Sequence, residues 1–319
     1  MYEEITKLCQ EVAQEQMETE GYLEWITICD DMSKGQPMRA LVTRKDAPYL
    51  EHNNNRSRSS VLIATGNGKV RAGIFSRQHL LITNIEHSTA LPIVREATRR
   101  GMSIVLLDPN ARGDRNAMHA FEQSLNVLAD KDMQTDDNPL YVLAHSAAGA
   151  QLVQCLNKKQ NKPLLQRIKA IAFTDSTHNI QWTKNNQHLS SLLQSNNCLY
   201  FKSSNPHRDD DWDKTVAGGN VDTDQFWEHR FGKIRTLWAG THEHSLTNYF
   251  ARHHIWDHFD LATPFSHASA DTTTTENASA EKHVIENNKD NSTTTTSHNE
   301  LGCRLPSYRF NRFKKIFIV

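Results

Sequence analysis

Residues 141–150 read Tyr-Val-Leu-Ala-His-Ser-Ala-Ala-Gly-Ala. A β-rich run ends at Ala144 and a helical pattern starts at about Ala147, so His145-Ser146 stands at a strand-to-helix turn. A nucleophile elbow at such a turn needs small neighbours, because the backbone bends sharply and bulky side chains would clash. The usual pattern is G-x-S-x-G; here alanines stand in the glycine places, at Ala144 and Ala148. Alanine is small but disfavours positive φ, which makes the match a relaxed one. A serine at a helix N-terminus also gains from the free N–H of Ala147, which can stabilise an oxyanion. A serine that only caps its helix would give the same local letters, so the flanking chain has to decide.

Outward from this stretch, short β-rich runs alternate with helical patterns. The runs are Val61–Ala64, Ser103–Leu107, Tyr141–Ala144, Ala170–Phe173, Leu199–Lys202 and Ile234–Trp238. Leu91, Val94 and Ala97 mark a helix that Ser88 or Thr89 could cap, with Pro92 in its first turn and Gly101 closing it. Met118, Phe121, Leu125 and Leu128 mark another, and Leu152, Val153, Cys155 and Leu156 a third. Ile5, Leu8, Cys9 and Val12 recur at helical spacing, so 3–17 read as an amphipathic helix. Leu23–Cys29 and Met38–Val42 read as a hairpin around a turn at 30–36. Residues 47–59 read as a polar loop, and 79–84 stay open between strand, helix and packed loop. Apolar strands alternating with helices imply an α/β fold of the α/β-hydrolase type, a mostly parallel eight-stranded sheet with helices on both faces.

In that fold the chain order is serine, acid, histidine, with the histidine after the last strand. Ala239-Gly240-Thr241-His242-Glu243-His244 follows the last β-run, so His244 and His242 are both in place. The acid should follow an intervening strand. Asp175 is the nearer strand-end carboxylate and Asp209 the alternative. A second backbone donor should come from the glycine-bearing loop Thr65-Gly66-Asn67-Gly68, with Gly66 and Asn67 beside Ala147 as the oxyanion donors. A phosphate loop does not fit there: Gly68-Lys69 precedes Val70 rather than Ser or Thr, and no glycine stands five residues before Gly68. His254 and His258 lie four apart beside Asp257, but no third ligand is placed, so no metal and no cofactor are expected. Trp182, Trp212, Trp227, Trp238 and Trp256 read as core or cap residues.

Composition bounds the rest. The chain has 319 residues, 37% of them hydrophobic, with a net charge of −1. No global field favours nucleic acid or an anionic membrane, and no direct nucleic-acid contact is expected. The mean hydropathy of −0.65 is low for a compact globule, so part of the chain should be disordered. That part is 263–303, with threonine tracts at Thr272–Thr275 and Thr293–Thr296; sequons at Asn277 and Asn291 are attributed to chance. Residues 304–319 are basic and apolar and could dock onto the domain, a partner or a membrane surface. The domain itself is expected to span 1–262. Five scattered cysteines without a C-x-x-C spacing fit a reducing compartment. No signal-peptide pattern and no transmembrane run of roughly 20 apolar residues is found, so nucleus or cytoplasm is expected rather than secretion.

Several motifs together resemble one family, the Argonaute-binding, cotranscriptional-regulator proteins with an α/β-hydrolase-like domain. In fungi it includes a subunit of the Argonaute small-interfering-RNA chaperone complex; a similar domain ends some fungal histone deacetylases, and animals have stand-alone members. The resemblance rests on V-L-I-A-T-G-N-G-K-V-R-A-G at 61–73, G-M-S-I-V-L-L-D-P-N at 101–110, A-H-S-A-A-G at 144–149 and F-T-D-S-T-H-N at 173–179. A weaker match is A-G-T-H-E-H-S-L-T at 239–247. By position the resemblance makes Ser146, Asp175 and His244 the family's serine, aspartate and histidine, which favours His244 over His242. Ala148 replaces an elbow glycine, Thr65 replaces a histidine of the oxyanion loop, and Asn205 stands where an acidic residue is expected. A short loop at 111–116 replaces the long charged insert of animal members that is implicated in nuclear targeting. The resemblance implies an interaction protein of Argonaute or chromatin-silencing machinery, or of co-transcriptional RNA processing. The alternative is a serine hydrolase cleaving a small ester or amide with a Ser146-His244-Asp175 triad.

Overall fold

The computed structural model describes residues 1–29, 37–51, 59–113, 116–131, 138–203 and 216–262. The expected turn at 30–36, the alternative acid Asp209, Trp212, Asn205 and both C-terminal segments lie outside the described residues.

In chain order the elements are α1 (Tyr2–Gly21), β1 (Leu23–Cys29), β2 (Met38–Thr43), α2 (Pro48–Glu51), β3 (Ser60–Ala64), α3 (Arg77–Ile82), α4 (Ile85–Ser88), α5 (Leu91–Arg99) and β4 (Ser103–Leu107). They continue with α6 (Ala117–Lys131), β5 (Leu140–His145), α7 (Ala147–Leu156), α8 (Lys162–Arg167), β6 (Ile168–Thr174), α9 (Gln187–Leu193), β7 (Cys198–Lys202), α10 (Gln225–Phe231), β8 (Arg235–Trp238) and α11 (Thr247–Leu261). Among the described residues the strands form one sheet in the order β1-β2-β4-β3-β5-β6-β7-β8. The β1–β2 and β2–β4 pairs are antiparallel and the others parallel. This is an α/β-hydrolase sheet.

Strand side chains alternate between faces, so each strand feeds two cores. Leu62, Val142, Ala144 and Phe173 pack toward α6, α7 and α9, with Phe121, Leu152 and Leu189 among their partners. Val61, Ile63, Leu143 and Ala172 pack toward α1, α5 and α11, with Met17, Val94 and Ile255. Burial on both faces explains why β3 to β7 read as continuous apolar runs instead of alternating ones.

Four local expectations change. The loop expected at 47–59 contains α2: Pro48 opens it, and Ala47 and Leu50 are buried. The open stretch at 79–84 falls mainly in α3, whose N-cap Ser76 accepts the N–H of His79. Helix α5 starts after Ala90, not at Ser88 or Thr89, although the Thr89 hydroxyl accepts the N–H of Leu91 (3.2 Å). Helix α1 runs to Gly21 and buries Thr6, Gln10, Ala13, Gln14 and Met17, not the apolar stripe Ile5-Leu8-Val12. The reason is what α1 meets. Gln14 donates to the carbonyl of Ala72 (3.1 Å) and Gln10 accepts the N–H of Arg71 (3.2 Å), so a polar face satisfies an exposed stretch of backbone.

Candidate active site

Strands β5 and β6 run side by side, with Ala144 opposite Phe173 and His145 opposite Thr174. Ser146 and Asp175 therefore emerge next to each other at the carboxyl edge of the sheet, where open α/β folds place their ligands. The N–H of Ser146 donates to the Thr174 carbonyl (2.9 Å), and its own carbonyl accepts from Gly149 (3.2 Å) and Thr177 (3.1 Å).

The backbone at Ser146 has φ 55 and ψ −124. This conformation is disfavoured for a residue with a Cβ and costs on the order of 1–3 kcal/mol. Positive φ among described non-glycine residues falls on Tyr22, Ser146 and Asp175, and not on Ala144 or Ala148. The concern raised by the relaxed pattern therefore does not apply: Ala144 is in β5 and Ala148 in α7, where alanine is unstrained. What the flanking positions require is small size. A Cβ at Gly149 would lie 1.9 Å from Ser176 Oγ, and one at Gly66 would lie 2.9 Å from Ser146 Cβ and 3.2 Å from its Oγ.

The Gly66 contact places the expected oxyanion loop directly against the serine. Asn110 holds that loop by donating from Nδ2 to the carbonyls of Gly66 (2.8 Å) and Val70 (3.1 Å). Gln151, one turn into α7, donates to Oδ1 of Asn67 (2.8 Å). Behind Asn110, Asp108 is buried and engages Arg71 through contacts of 3.1, 3.1 and 2.7 Å. Burial opposes the charge on Arg71, but the Asp108 carboxylate holds its pKa above the ordinary arginine value. The V-R-A-G and D-P-N motifs thus join in one ion pair behind the loop, buried at Asp108 and half-buried at Arg71. Thr65 is fully buried, and its hydroxyl has no hydrogen-bond partner among the described residues.

His244 lies in a short 3₁₀ turn, His244–Leu246, after β8, and donates from Nδ1 to Oδ2 of Asp175 (2.9 Å). The other carboxylate oxygen accepts the N–H of Ser203 (2.8 Å). The Thr247 hydroxyl donates to the His244 carbonyl (2.7 Å) and lies 3.3 Å from Oδ2. Burial acts to raise the Asp175 carboxyl, but the hydrogen bonds from His244 and Ser203 hold it below the usual carboxylate range. The side chain of His244 is 52% exposed and that of Asp175 only 11%. A buried, ionised carboxylate fixing an accessible imidazole is the arrangement a general base needs. The Ser146 hydroxyl itself makes no hydrogen bond among the described residues. His242 is not part of this arrangement; its ring packs on Trp238 at 4.8 Å.

Two further histidines support the site. The ring of His145 lies 4.7 Å from that of His244 at 32°. It donates from Nδ1 to Thr174 Oγ1 (3.2 Å), because that hydroxyl spends its own proton on Asn248 Oδ1 (2.8 Å). Burial first, then the neighbouring His244, push His145 down to about 3. His178 bonds Ser176 Oγ (2.7 Å) and stacks on Phe173 at 4.1 Å, and burial lowers it to about 3 as well. The T-D-S-T-H-N motif therefore carries one residue toward His244 and uses Ser176 and His178 to brace the turn under Gly149. Sequence reading assigned no role to Asn110, Gln151, Ser203, Thr247 or His145. Asn110 had a signal in the D-P-N motif; the others had none.

Among the described residues no group of three or more His, Cys, Asp or Glu side chains could hold a metal ion. His254 bonds the Ala217 carbonyl (3.0 Å), while buried His258 bonds that of Ile171 (3.2 Å). Trp238 and Trp256 are core residues, whereas Trp182 is exposed.

No family model matches the chain. Over 340 aligned positions it is 22% identical to the cotranscriptional regulator ARB2A homolog of Xenopus tropicalis, covering 88% of this chain and 75% of that protein. It is 23% identical over 208 positions to a FAM172 family protein homolog of Caenorhabditis elegans, covering 64% of this chain and 60% of that protein. Among solved structures, the histone deacetylase Clr3 aligns with a TM-score of 0.48 at 9% identity, covering 80% of this chain and 39% of that one. Along most of its length the chain is similar to the cotranscriptional regulator ARB2A proteins, and over a shorter stretch to the FAM172 protein, on a sheet with the strand order of an α/β-hydrolase fold.

Proposed function

We propose that the protein is a nuclear regulatory protein that acts with Argonaute or chromatin-silencing proteins, or in co-transcriptional RNA processing. One observation carries this reading: relatives named cotranscriptional regulators align over 88% of the chain. The chain's net charge of −1 favours protein partners over direct binding to nucleic acid. The test is native affinity purification with nuclease treatment. Argonaute, silencing or RNA-processing proteins should co-purify and stay bound to Ser146→Ala. Their absence from the purified material would overturn the reading.

A second reading has its own support. The positive φ of Ser146 and the Asp175–His244 bond favour a serine hydrolase for a small ester or amide. Ser146 would attack the carbonyl carbon and His244 would take its proton as general base. Asp175 would hold the imidazole in the tautomer that leaves Nε2 free. The N–H groups of Ala147, Gly66 and Asn67 would receive the oxyanion. Labelling by a fluorophosphonate probe tests it. Labelling that Ser146→Ala abolishes supports an activated serine; none, in a folded protein, removes this reading and leaves the first.

A further inference from the structure

Helix α1 carries two stripes. One faces the domain; the other, Ile5, Leu8, Cys9 and Val12, repeats at the spacing of one helix face. Ile5, Leu8 and Val12 are 47%, 60% and 45% exposed. Leu8, Cys9 and Val12 form one wall of a groove of about 480 Å³, and Leu80, Asn84, Ile85 and Glu86 of the α3–α4 region form the other. Apart from Asn84 and Glu86, the lining residues are apolar or, at Cys9, a thiol.

The groove has a charged rim. Glu4, Glu11 and Glu15 are exposed and follow at the spacing that puts them in a row beside Leu8. Glu86 lies in the opposite wall. The cations nearby are already engaged: the Met1 ammonium with Glu4 (2.9 Å), Lys7 with Glu11 (3.7 Å), Lys69 and Arg77 with Glu3, and Arg95 with both Glu20 and Glu86, which leaves Glu15 in the row without an ion pair among the described residues. Helix α1 has six glutamates against one lysine, so negative charge remains in excess along the rim.

We propose that this groove docks a basic amphipathic helix of a partner protein, with its apolar face between α1 and α3–α4 and its Lys or Arg side chains against Glu4, Glu11 and Glu15. The apolar stripe sets the form of the occupant, because helix-in-groove recognition reads anchors at this spacing. Charge sets its identity. A second copy packed by a two-fold axis would bring one glutamate row against another. An anionic membrane surface would be repelled by the same row. A basic helix gains from both the apolar wall and the rim. The proposal does not depend on whether Ser146 reacts.

The test uses the full chain and a fluorescent Leu/Lys peptide of about 18 residues, or five helical turns, with leucines on one face. Saturable one-to-one binding by anisotropy is expected. It should weaken about tenfold or more in the double variant Leu8→Ser, Val12→Ser, and in the triple variant Glu4→Lys, Glu11→Lys, Glu15→Lys. All five side chains are exposed, so the fold should survive, and melting curves check this. A scrambled peptide of the same composition should bind as weakly, and bound peptide should slow alkylation of Cys9. Equal affinity for wild type and both variants overturns the proposal. So does a wild-type dimer that the Leu8→Ser, Val12→Ser change dissolves, or binding to anionic phosphatidylserine vesicles lost in the same variant. Fluorophosphonate labelling of Ser146 is measured in parallel and should not change in either variant, which separates this proposal from the hydrolase reading.

Discussion

His244 reaches Asp175 with an Nδ1–Oδ2 distance of 2.9 Å, across 69 residues of sequence. The bond joins the turn after β8 to the end of β6, and Nε2 of the imidazole makes no hydrogen bond among the described residues. With Asp175→Asn the imidazole loses the partner that fixes this tautomer. On the hydrolase reading, fluorophosphonate labelling of Ser146 is expected to slow by about 10⁴-fold in that variant, with the fold retained by circular dichroism. His242→Ala should label at the wild-type rate. Equal loss in both variants would mean that the Asp175–His244 bond is not what activates the serine.

Gly66 is a sharper probe of the oxyanion loop than any side chain there. A methyl group at 66 would meet Ser146 at 2.9 Å and push either the loop or the serine away. On the hydrolase reading, Gly66→Ala should fold and yet lose labelling by roughly 10²–10³-fold, the scale of one lost oxyanion donor. Asn110→Ala, which releases the Gly66 carbonyl from its tether, should show a smaller loss in the same direction. Wild-type labelling in both would remove Gly66 and Asn67 from the site.

The ion pair behind that loop should be felt in stability. Asp108 is 1% exposed and faces the Arg71 guanidinium. Arg71→Met would leave a buried carboxylate without its cation, at a cost of about 3–5 kcal/mol by urea unfolding. The double variant Arg71→Met, Asp108→Leu should recover a large part of that loss, because it removes the stranded charge as well. A double variant no better than the single one would show that other contacts of Arg71 matter more.

Buried neutral histidines give the domain an acid limit. Burial lowers His145 and His178 to about 3 and His258 to about 4. In the unfolded chain each titrates near 6.5. Between those values the unfolded state binds more protons than the folded one, so stability is full above about pH 6.5 and falls as the pH drops toward 3–4. Each such histidine steepens the fall by up to about 1.4 kcal/mol per pH unit. Asp175, also held low, adds its own loss only below about pH 4. Urea midpoints measured from pH 7 to 4.5 should therefore decline steadily, and His178→Gln should flatten the slope. An unchanged slope would show that His178 is protonated in the folded state.

The fold was legible because its signals are local. Val61–Ala64, Ser103–Leu107 and Tyr141–Ala144 are short apolar runs between helical patterns, and that rhythm depends only on residues within a turn or two of one another. The small residues around Ser146 and the place of His244 after the last strand were readable for the same reason. The short helix α2 was hidden in a polar stretch, because among the described residues there Ala47 and Leu50 alone are buried, and two residues make no periodicity.

Sequence alone determined the α/β architecture, the position of the elbow and the chain order of its candidate partners, since strand and helix periods and turn chemistry are properties of neighbouring residues. Tertiary structure decided what depends on distant neighbours. Asp175 meets His244 because β6 and β8 end at the same edge of the sheet, two strands apart. The strained φ falls on Ser146 and not on the alanines beside it, because the chain must leave β5 and enter α7 within a single residue. Helix α1 turns its glutamines inward and its leucine outward because the surface beneath it is backbone with hydrogen bonds to fill. No periodicity in α1 itself records that surface.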